Sequence, residues 1–470
     1  MTFGSLDGRL DAIATSHPSL SAHLPTLGRF IREATDAQLD RINVLTWAKT
    51  HGVPPDDALD LFLCASSTGV FDLAWSLMCP LCGLLVSNRA ALQHLAREAT
   101  CAFCRREVLV SLDDSVEVVF TVAAAVRKLT GRELGTAELV RAHFVEEFYS
   151  RSMQRNPMHE LIAKSFEVVR WLAPGESTTL ALNLAPGPYV LAAPHEHAAM
   201  HLEAGPGGAA EQTVELLDGQ LVGATRLANG PVKLVVRNRT GRPALFLCGS
   251  TAWATTFDWA NGTSKFNPMV TGKQLLTNQT FRELYRSEGV GAEGGMQLRS
   301  LAILFTDLTA STELYERVGD LRALDLVRKH FDVLQRVIAA ERGAVVKTIG
   351  DAVMASFAEP DRALAAAAAM HRQMERLGAS EVLTLKIGVH VGSCVAVESN
   401  KQLDFFGRTV NVAARVQAKA QAGDVVITQD VLDHPGAREV ARTQFAPALA
   451  ERVHLKGIEG EVVVHRLRAN

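Results

Sequence analysis

The amino-acid sequence predicts a multidomain α+β protein, and three observations lead to that fold class. The chain has 470 residues, which is too long for one domain and favours two to four. Its composition, 47% apolar and 21% charged, is that of an ordinary globular protein with sizeable cores. The local pattern also changes along the chain, from helical spacing to short alternating strand-like runs and then to mixed strands and helices.

Residues 1–75 are predicted to form a helical region. Apolar residues recur at helical spacing over 34–51 and again over 55–64, and Pro54 followed by Pro55 fits a helix start. A second short stretch, 126–165, is predicted to be a helical connector. These segments flank a cysteine-rich part of the chain.

Four of the seven cysteines have the spacing of a zinc ribbon. Cys79, Cys82, Cys101 and Cys104 form a C-x2-C-x18-C-x2-C pattern, in which each pair can supply two thiolates to one tetrahedral ion. We therefore predict a zinc ribbon over 76–125 with a structural Zn2+ bound by these four residues. The alternative, a redox-active or disulfide-bonded pair, lacks a βαβ context and does not explain two copies.

The central segment, 166–265, is predicted to be an antiparallel β-sandwich. Its strand-like runs, including 178–184 and 232–238, alternate in hydrophobicity and are separated by proline and glycine turns. His195, His197 and His201 can be interpreted as metal ligands on a barrel rim or as part of a polar loop beside a strand. We favour the loop because no further ligand is evident.

Residues 266–296 are predicted to be a helical segment followed by a linker. Helical spacing covers 272–286, and the glycine-rich run 287–295 leads into the last domain, 297–470. That domain contains the most informative residues of the chain.

Two aspartates of the last domain are predicted to bind divalent metal ions. Asp307 closes the apolar run 301–307, and Asp351 follows a turn between the strand-like runs 344–348 and 352–357. Two carboxylates held together repel each other unless a cation lies between them. Mg2+ prefers oxygen ligands of this kind together with substrate phosphates. The pair therefore indicates a metal site for a nucleoside triphosphate.

A polar pair downstream is suited to binding phosphate or ribose. Asn411 and Arg415 are four residues apart in a stretch with helical spacing, so they project from one helical face. The planar guanidinium of arginine matches phosphate geometry and stays charged. A solvated polar helix face is the alternative.

These motifs, in this order over about residues 300–467, resemble the class III nucleotidyl cyclases, which convert ATP or GTP to the 3′,5′-cyclic monophosphate. The resemblance implies a ferredoxin-like βαββαβ domain over 297–470. It also implies that Asp307 and Asp351 hold two Mg2+ or Mn2+ ions per active site. The family commonly has glycine at the position of Ala310.

The resemblance assigns the remaining site residues. Lys347 and Asp404 correspond to the pair that reads the adenine edge, Asn411 and Arg415 to the transition-state pair, and Lys456 to the residue that holds the terminal phosphates. We also expect a helix to begin within 309–312. The backbone N–H groups of this segment, up to Thr312, are expected to bind phosphate oxygens. All seven side-chain positions have the residue type of adenylate cyclases.

The base-reading pair favours ATP over GTP. Adenine offers an amino donor to the carboxylate of Asp404 and a ring-nitrogen acceptor to the ammonium of Lys347, whereas guanine reverses that pattern. The expected enzyme is an adenylate cyclase. Two alternatives remain: a guanylate or dual-specificity cyclase, and a zinc-ribbon regulator that binds nucleotide without catalysis.

The resemblance further implies a head-to-tail homodimer, in which the metal aspartates come from one subunit and the other site residues from its partner. A regulatory ligand or protein is expected to act on the N-terminal region through the helical segment before the catalytic domain. The net charge of −3 gives no electrostatic reason to expect a nucleic acid. No apolar run reaches the roughly 18 residues of a membrane span, so we expect a cytoplasmic protein without a membrane partner.

Overall fold

The structure, a computed structural model, describes residues 5–95, 98–101, 103, 107–130, 135–255, 265–286, 295–309, 316, 319–377, 384–399 and 402–469. The described helices are α1 (Leu6–Ser16), α2 (Leu24–Glu33), α3 (Asp36–Leu39), α4 (Val44–His51), α5 (Pro55–Ser67), α6 (Ala137–Phe148), α7 (Pro157–Ser165), α8 (Gly272–Leu276), α9 (Gln279–Leu284), α10 (Asp320–Ala340), α11 (Pro360–Leu377), α12 (Arg408–Gln417), α13 (Gln429–Leu432) and α14 (Pro435–Gln444).

Twenty-two strands lie in the described part of the chain. They are β1 (Phe71–Met78), β2 (Leu85–Arg89), β3 (Glu98–Thr100), β4 (Glu107–Leu109), β5 (Val116–Val122), β6 (Phe166–Leu172), β7 (Ser177–Leu184), β8 (Gly187–Ala193), β9 (Ala198–Ala209), β10 (Glu211–Leu217), β11 (Gln220–Gly223), β12 (Arg226–Leu227), β13 (Gly230–Asn238), β14 (Ala244–Ser250), β15 (Met296–Leu308), β16 (Gly343–Ile349), β17 (Ala352–Phe357), β18 (Leu385–Ser399), β19 (Gln402–Phe406), β20 (Val425–Thr428), β21 (Leu449–His454) and β22 (Glu461–Leu467).

The N-terminal region consists of helices α1–α5 packed on a small sheet with the strand order β2-β1-β5. The helical spacing over 34–51 does not give one helix, because Arg41 has a positive φ of 47° and Ile42 bridges to Phe120 of β5. The guanidinium of Arg41 donates to the carbonyl oxygens of Glu147 and Tyr149 at the end of α6. Arg41, at the break between the helices, therefore links the first helices to the end of α6.

The central segment folds into two sheets that share one core. Their strand orders are β11-β10-β13-β7 and β12-β9-β8-β14-β6, and the core includes Leu191, Val214, Leu234 and Phe246. The prediction that this unit is antiparallel throughout is wrong. Strand β10 pairs with β13 in parallel, and β12 pairs with β9 in parallel, because the chain crosses from one sheet to the other and back between β10 and β13.

The histidine-rich loop of this unit lies against aromatic side chains. His195 stacks on Trp171 with ring centroids 5.4 Å apart, and the Nδ1 atom of His197 lies 3.2 Å from the carbonyl oxygen of Leu85. Within the described part of the chain, these two histidines and His201 form no cluster of metal-ligating atoms.

The helical segment before the last domain is two short helices rather than the single helix predicted over 272–286. Thr277 hydrogen-bonds through its hydroxyl to the carbonyl oxygens of Lys273 and Gln274, which ends α8. The side chain of Asn278 then accepts a hydrogen bond from the backbone N–H of Phe281 and starts α9. The predicted glycine-rich linker falls mostly on 287–294, outside the described residues.

The last domain has the predicted βαββαβ order, formed by β15, α10, β16, β17, α11 and β18. These strands lie side by side as β16-β17-β15-β18, and the sheet continues through β20, β22 and β21. Side chains of β15 at even positions, including Ala302 and Leu304, pack with α10 and α11 in one core. We call this the helical face of the sheet, and the opposite one the open face.

The N-terminal region packs on the open face. One hydrophobic cluster joins Leu301, Ile303 and Phe305 of β15 to Trp75 of the N-terminal region and to Phe281 of α9. Ion pairs line this contact, including Arg299 with Asp114 and Arg342 with Asp56, each at 2.8 Å. No helix in the described part of the chain has the length and apolar character needed to cross a membrane.

Candidate active site

Asp307 lies at the end of β15 and on the open face of the sheet. Successive side chains of a strand point to opposite faces of the sheet. Asp307 is an even number of residues from Leu301, Ile303 and Phe305, so it lies on the same face as they do. The residue directly opposite on β18 is Lys386, whose Nζ atom is 2.7 Å from Oδ2 of Asp307. The ammonium balances the charge of the carboxylate through its Oδ2 atom.

Asp351 lies in the tight turn between β16 and β17. Gly350 has a positive φ of 64°, a conformation that favours glycine, and this lets the chain reverse next to Asp351. Strand β17 pairs Met354 with Phe305, so the turn reaches the end of β15 that carries Asp307. The Oδ2 atom of Asp351 is buried and has no hydrogen-bond partner within the described structure.

The two aspartates fit a divalent metal site. A buried carboxylate oxygen without a hydrogen bond is costly, and a bound cation would compensate that cost. Asp307 and Asp351 would supply the oxygen ligands that Mg2+ and Mn2+ accept, with substrate phosphates completing the coordination.

Lys347 and Asp404 form a direct ion pair although they are 57 residues apart in the chain. The Nζ atom of Lys347 lies 2.6 Å from Oδ2 of Asp404. The Lys347 side chain is 40% exposed and the Asp404 side chain 16% exposed. The second carboxylate oxygen of Asp404 accepts a hydrogen bond from the backbone N–H of Phe405 at 2.8 Å, which fixes its orientation. The pair therefore presents one cationic and one anionic group side by side at a partly exposed position.

Asn411 and Arg415 are exposed on one face of helix α12, whose buried face includes Val412 and Val416. The helix lies tight against β18, because a side chain at Gly388 would come 2.2 Å from the backbone nitrogen of Gln417. The amide and guanidinium are therefore carried by a rigidly packed helix.

Lys456 is exposed in the turn between β21 and β22. The preceding residue, Leu455, is buried in the same hydrophobic cluster as Val412 and Val416 of α12. This packing holds the Lys456 turn beside the helix that carries Asn411 and Arg415. The fourth predicted substrate-binding residue, Thr312, lies outside the described residues.

Three of the four predicted zinc ligands are close together in the N-terminal region. The Sγ atoms of Cys79, Cys82 and Cys101 lie within 4.8 Å of one another and are buried. The Sγ atoms of Cys82 and Cys101 are 3.8 Å apart. Two thiolate sulfurs bound to one tetrahedral zinc ion, each with a Zn–S distance of ~2.3 Å, lie about as far from each other as the Sγ atoms of Cys82 and Cys101 do. Cys104 lies outside the described residues.

Sequence reasoning missed Lys386, which contacts Asp307, one of the two predicted metal ligands. The signal in the sequence was a charged residue, Lys386, inside the apolar run 385–391. In a strand buried on one face, apolar and polar side chains alternate, so a lysine within such a run indicates the less buried face. Its partner depends on the register between β15 and β18, and register is a property of the assembled sheet.

Comparison with known proteins gives the class of the last domain. Residues 296–469 match the adenylate and guanylate cyclase catalytic domain, so this part of the chain is a class III adenylate/guanylate cyclase catalytic domain. Over 172 residues it is 31% identical to an adenylate cyclase of Streptomyces coelicolor, a match that covers 36% of this chain and 42% of the relative. Over 151 residues it is 30% identical to putative adenylate cyclase 3 of Rhizobium meliloti, which covers 31% of this chain and 25% of the relative.

The chain thus spans less than half the length of these two relatives. Among solved structures, the adenylyl cyclase CyaB from P. aeruginosa is 18% identical with a TM-score of 0.33, covering 38% of this chain and 97% of that chain. The guanylate cyclase domain of RhGC from Catenaria anguillulae, in complex with GTP, is 20% identical with a TM-score of 0.33, covering 37% of this chain and 98% of that chain.

The family of the chain is given by a match over its longer, N-terminal part. Residues 13–283 match a family of unknown function (DUF5939), and the chain belongs to that family. The match ends within α9, so this family's region includes the zinc-ligand candidates, the two-sheet unit and most of the segment that leads to the catalytic domain.

Proposed function

We propose that this protein is an adenylate cyclase that converts ATP to 3′,5′-cyclic AMP and pyrophosphate. The observation that carries the proposal is the ion pair between Lys347 and Asp404, which offers a donor and an acceptor side by side on a class III cyclase catalytic domain. Adenine needs that combination along its amino edge, whereas guanine would leave both groups facing a like partner. A site whose polar groups are left unpaired discriminates strongly against the wrong base.

The reaction needs the ribose 3′-hydroxyl to attack the α-phosphorus while pyrophosphate leaves. Metal ions held by Asp307 and Asp351 would supply charge neutralisation on the phosphates and acidify the attacking hydroxyl. Arg415 stabilises the negative charge that builds on the α-phosphate oxygens, and Asn411 on the same helical face orients the ribose. Lys456 holds the terminal phosphates of the leaving group.

The ion pair of Lys386 with Asp307 has a consequence for this mechanism. Because the ammonium lies 2.7 Å from the carboxylate, it competes with a metal ion for the same oxygen. A cation held by Asp307 would repel the Lys386 ammonium, which would then be available to pair with the substrate phosphates.

The site is proposed to be shared across a head-to-tail homodimer with two equivalent sites. Asp307 and Asp351 of one subunit would act with Lys347, Asp404, Asn411, Arg415 and Lys456 of its partner. One chain contains both sets on one catalytic domain, so two copies complete two sites.

The cysteine cluster is proposed to bind one structural Zn2+ through Cys79, Cys82, Cys101 and Cys104. We expect Cys82→Ser to lower the zinc content of the purified protein from about one ion per chain to less than about 0.2, with a lower melting temperature. Cys248→Ser, which changes a buried thiol on β14 instead, should leave the zinc content unchanged. Wild-type protein without bound zinc, measured by elemental analysis, would contradict the proposal.

Regulation by the N-terminal region is proposed because that region packs on the open face of the catalytic sheet. The same face carries Asp307, so a movement of the N-terminal region would change the surroundings of the site. A small ligand or a protein that binds the N-terminal region would supply the signal.

Product analysis tests the proposed activity. Purified full-length protein incubated with ATP and Mg2+ or Mn2+ is expected to form cyclic AMP, which is separated and identified by mass. Protein that is dimeric and zinc-loaded but forms no cyclic nucleotide from ATP or GTP would contradict a catalytic function and favour a regulator that only binds nucleotide.

A further inference from the structure

The residue that fixes the spacing of the base-reading pair comes from outside the catalytic domain. Arg282 lies in α9, within the part of the chain that belongs to the family of unknown function. Its Nη2 atom donates to the carbonyl oxygen of Leu403 at 2.5 Å and lies 3.4 Å from that of Val346. These two residues immediately precede Asp404 and Lys347. Arg282 therefore bridges the backbones that carry both members of the pair.

The two bridged strands are not hydrogen-bonded to each other. Strands β17, β15 and β18 lie between β16, which carries Lys347, and β19, which carries Asp404. The ion pair between Lys347 and Asp404 joins them. A bound base hydrogen-bonds to both side chains and so competes for the groups that form this link. Arg282 holds the two backbones together independently of the ion pair.

Helix α9 also stabilises a β-bulge beside Lys347. Val345 pairs with Ala355 and Lys347 pairs with Met354, so Val346 is an extra residue in β16. The backbone N–H of Val345 donates to the side chain of Gln279 at 2.8 Å. The guanidinium of Arg282 donates to the carbonyl oxygen of Val346. A bulge next to a site re-aims the side chains around it. Two residues of α9 thus set the direction of Lys347.

Arg282 is itself held firmly. Its guanidinium lies 5.8 Å from the ring centroid of Phe405, which is buried beside Asp404. A third hydrogen bond, at 3.4 Å, runs to the carbonyl oxygen of Leu276 at the end of α8. Burial lowers the pKa of Arg282 to about 10, and the Asp404 carboxylate opposes that shift, so the side chain stays charged at neutral pH.

We propose that Arg282 is a positioning residue for base recognition, contributed to the catalytic domain by the N-terminal family region. This inference rests on the proposed adenylate cyclase function and deepens it. The base-reading geometry depends on how α9 docks against β16 and β19. A signal that moves α9 would therefore change nucleotide affinity and selectivity.

Replacement of Arg282 tests this role. In the full-length protein, Arg282→Met retains much of the apolar stem but removes every donor. We expect about a tenfold rise in KM for ATP, about a tenfold fall in the preference for ATP over GTP, and a smaller change in kcat. Arg282→Lys, which keeps the charge but has a single donor nitrogen in place of the guanidinium fork, should be intermediate. The exposed neighbour Arg286, changed to Met, is the matched control and should behave like the wild type.

Selectivity separates positioning from general stabilisation. If Arg282 only supported the fold, Arg282→Met would lower the melting temperature and the turnover of both nucleotides alike, with the ATP-to-GTP ratio unchanged. That result would overturn the proposal. In a background that carries both Lys347→Met and Asp404→Asn, Arg282→Met should cause no further loss of selectivity, because its effect acts through these two residues.

Equilibrium binding of ATP and GTP to the same variants gives the ratio of the two affinities, and this measurement does not depend on turnover. Wild-type protein that prefers ATP in binding but forms no product would contradict only the proposed catalysis. Wild-type preference that survives unchanged in Arg282→Met would contradict only the role of Arg282.

Discussion

Alanine at Asp307 or at Arg415 is expected to lower cyclic AMP formation by about 1000-fold or more. Asp307→Ala removes an oxygen ligand for the metal ions that neutralise the triphosphate. Arg415→Ala removes the guanidinium that stabilises charge on the α-phosphate. Both losses should appear mainly in kcat, because each interaction strengthens as the transition state forms. Steady-state product formation over a range of ATP concentrations measures the effect.

Neither change is expected to unfold the protein. Arg415 is exposed, and Asp307 is only partly buried beside Lys386. Asp325→Ala is a matched control, since Asp325 is an exposed aspartate on α10 that pairs with a surface lysine, Lys329. Full activity of Asp307→Ala at saturating Mg2+ would show that this carboxylate is not a metal ligand.

Exchanging the charges of the base-reading pair is expected to reverse the nucleotide preference. Lys347→Glu combined with Asp404→Lys places a carboxylate where the ammonium was and an ammonium where the carboxylate was. Guanine then finds an acceptor for its ring N–H and a donor for its carbonyl oxygen, whereas adenine faces like partners. We expect the ratio of kcat/KM for ATP to that for GTP to fall by about 1000-fold.

A second charge exchange serves as the control for that experiment. Glu439 and Arg442 form an exposed ion pair on α14, and reversing them should leave the ratio unchanged. A folded Lys347→Glu, Asp404→Lys protein that still prefers ATP as strongly as the wild type would show that the pair does not read the base.

The catalytic fold could be predicted because its motifs are local and the order of its elements is typical of the class. The strand ends at Asp307 and Asp351 and the helical spacing of Asn411 and Arg415 depend only on neighbouring residues. The βαββαβ order predicted for the last domain is confirmed by the structure, and residues 296–469 match the cyclase catalytic domain.

What could not be predicted depends on contacts between distant segments. The ion pair of Lys386 with Asp307 requires the register of β15 against β18, and the contacts of Arg282 require α9 to dock on β16 and β19. The parallel pairing of β10 with β13 follows from a crossover between two sheets. Local hydrophobic periodicity contains none of this information.

Two helix predictions were wrong for local reasons that periodicity alone does not reveal. The segment 34–51 keeps its apolar spacing across a residue with positive φ, Arg41, whose side chain is held by the end of α6. The segment 272–286 contains an internal N-cap, Asn278, which begins a second helix directly after the first has ended at Thr277. Asparagine inside a helical pattern is a recognisable capping signal.

Mixing Asp307→Ala with Arg415→Ala tests the central claim most directly, namely catalysis at metal sites shared by two subunits. Each variant alone should be inactive, whereas a co-expressed mixture should regain about a quarter of the wild-type cyclic AMP activity. Half of the dimers are then mixed, and each mixed dimer has one intact site of two. A mixture as inactive as its components, in protein shown to form mixed dimers, would contradict the account.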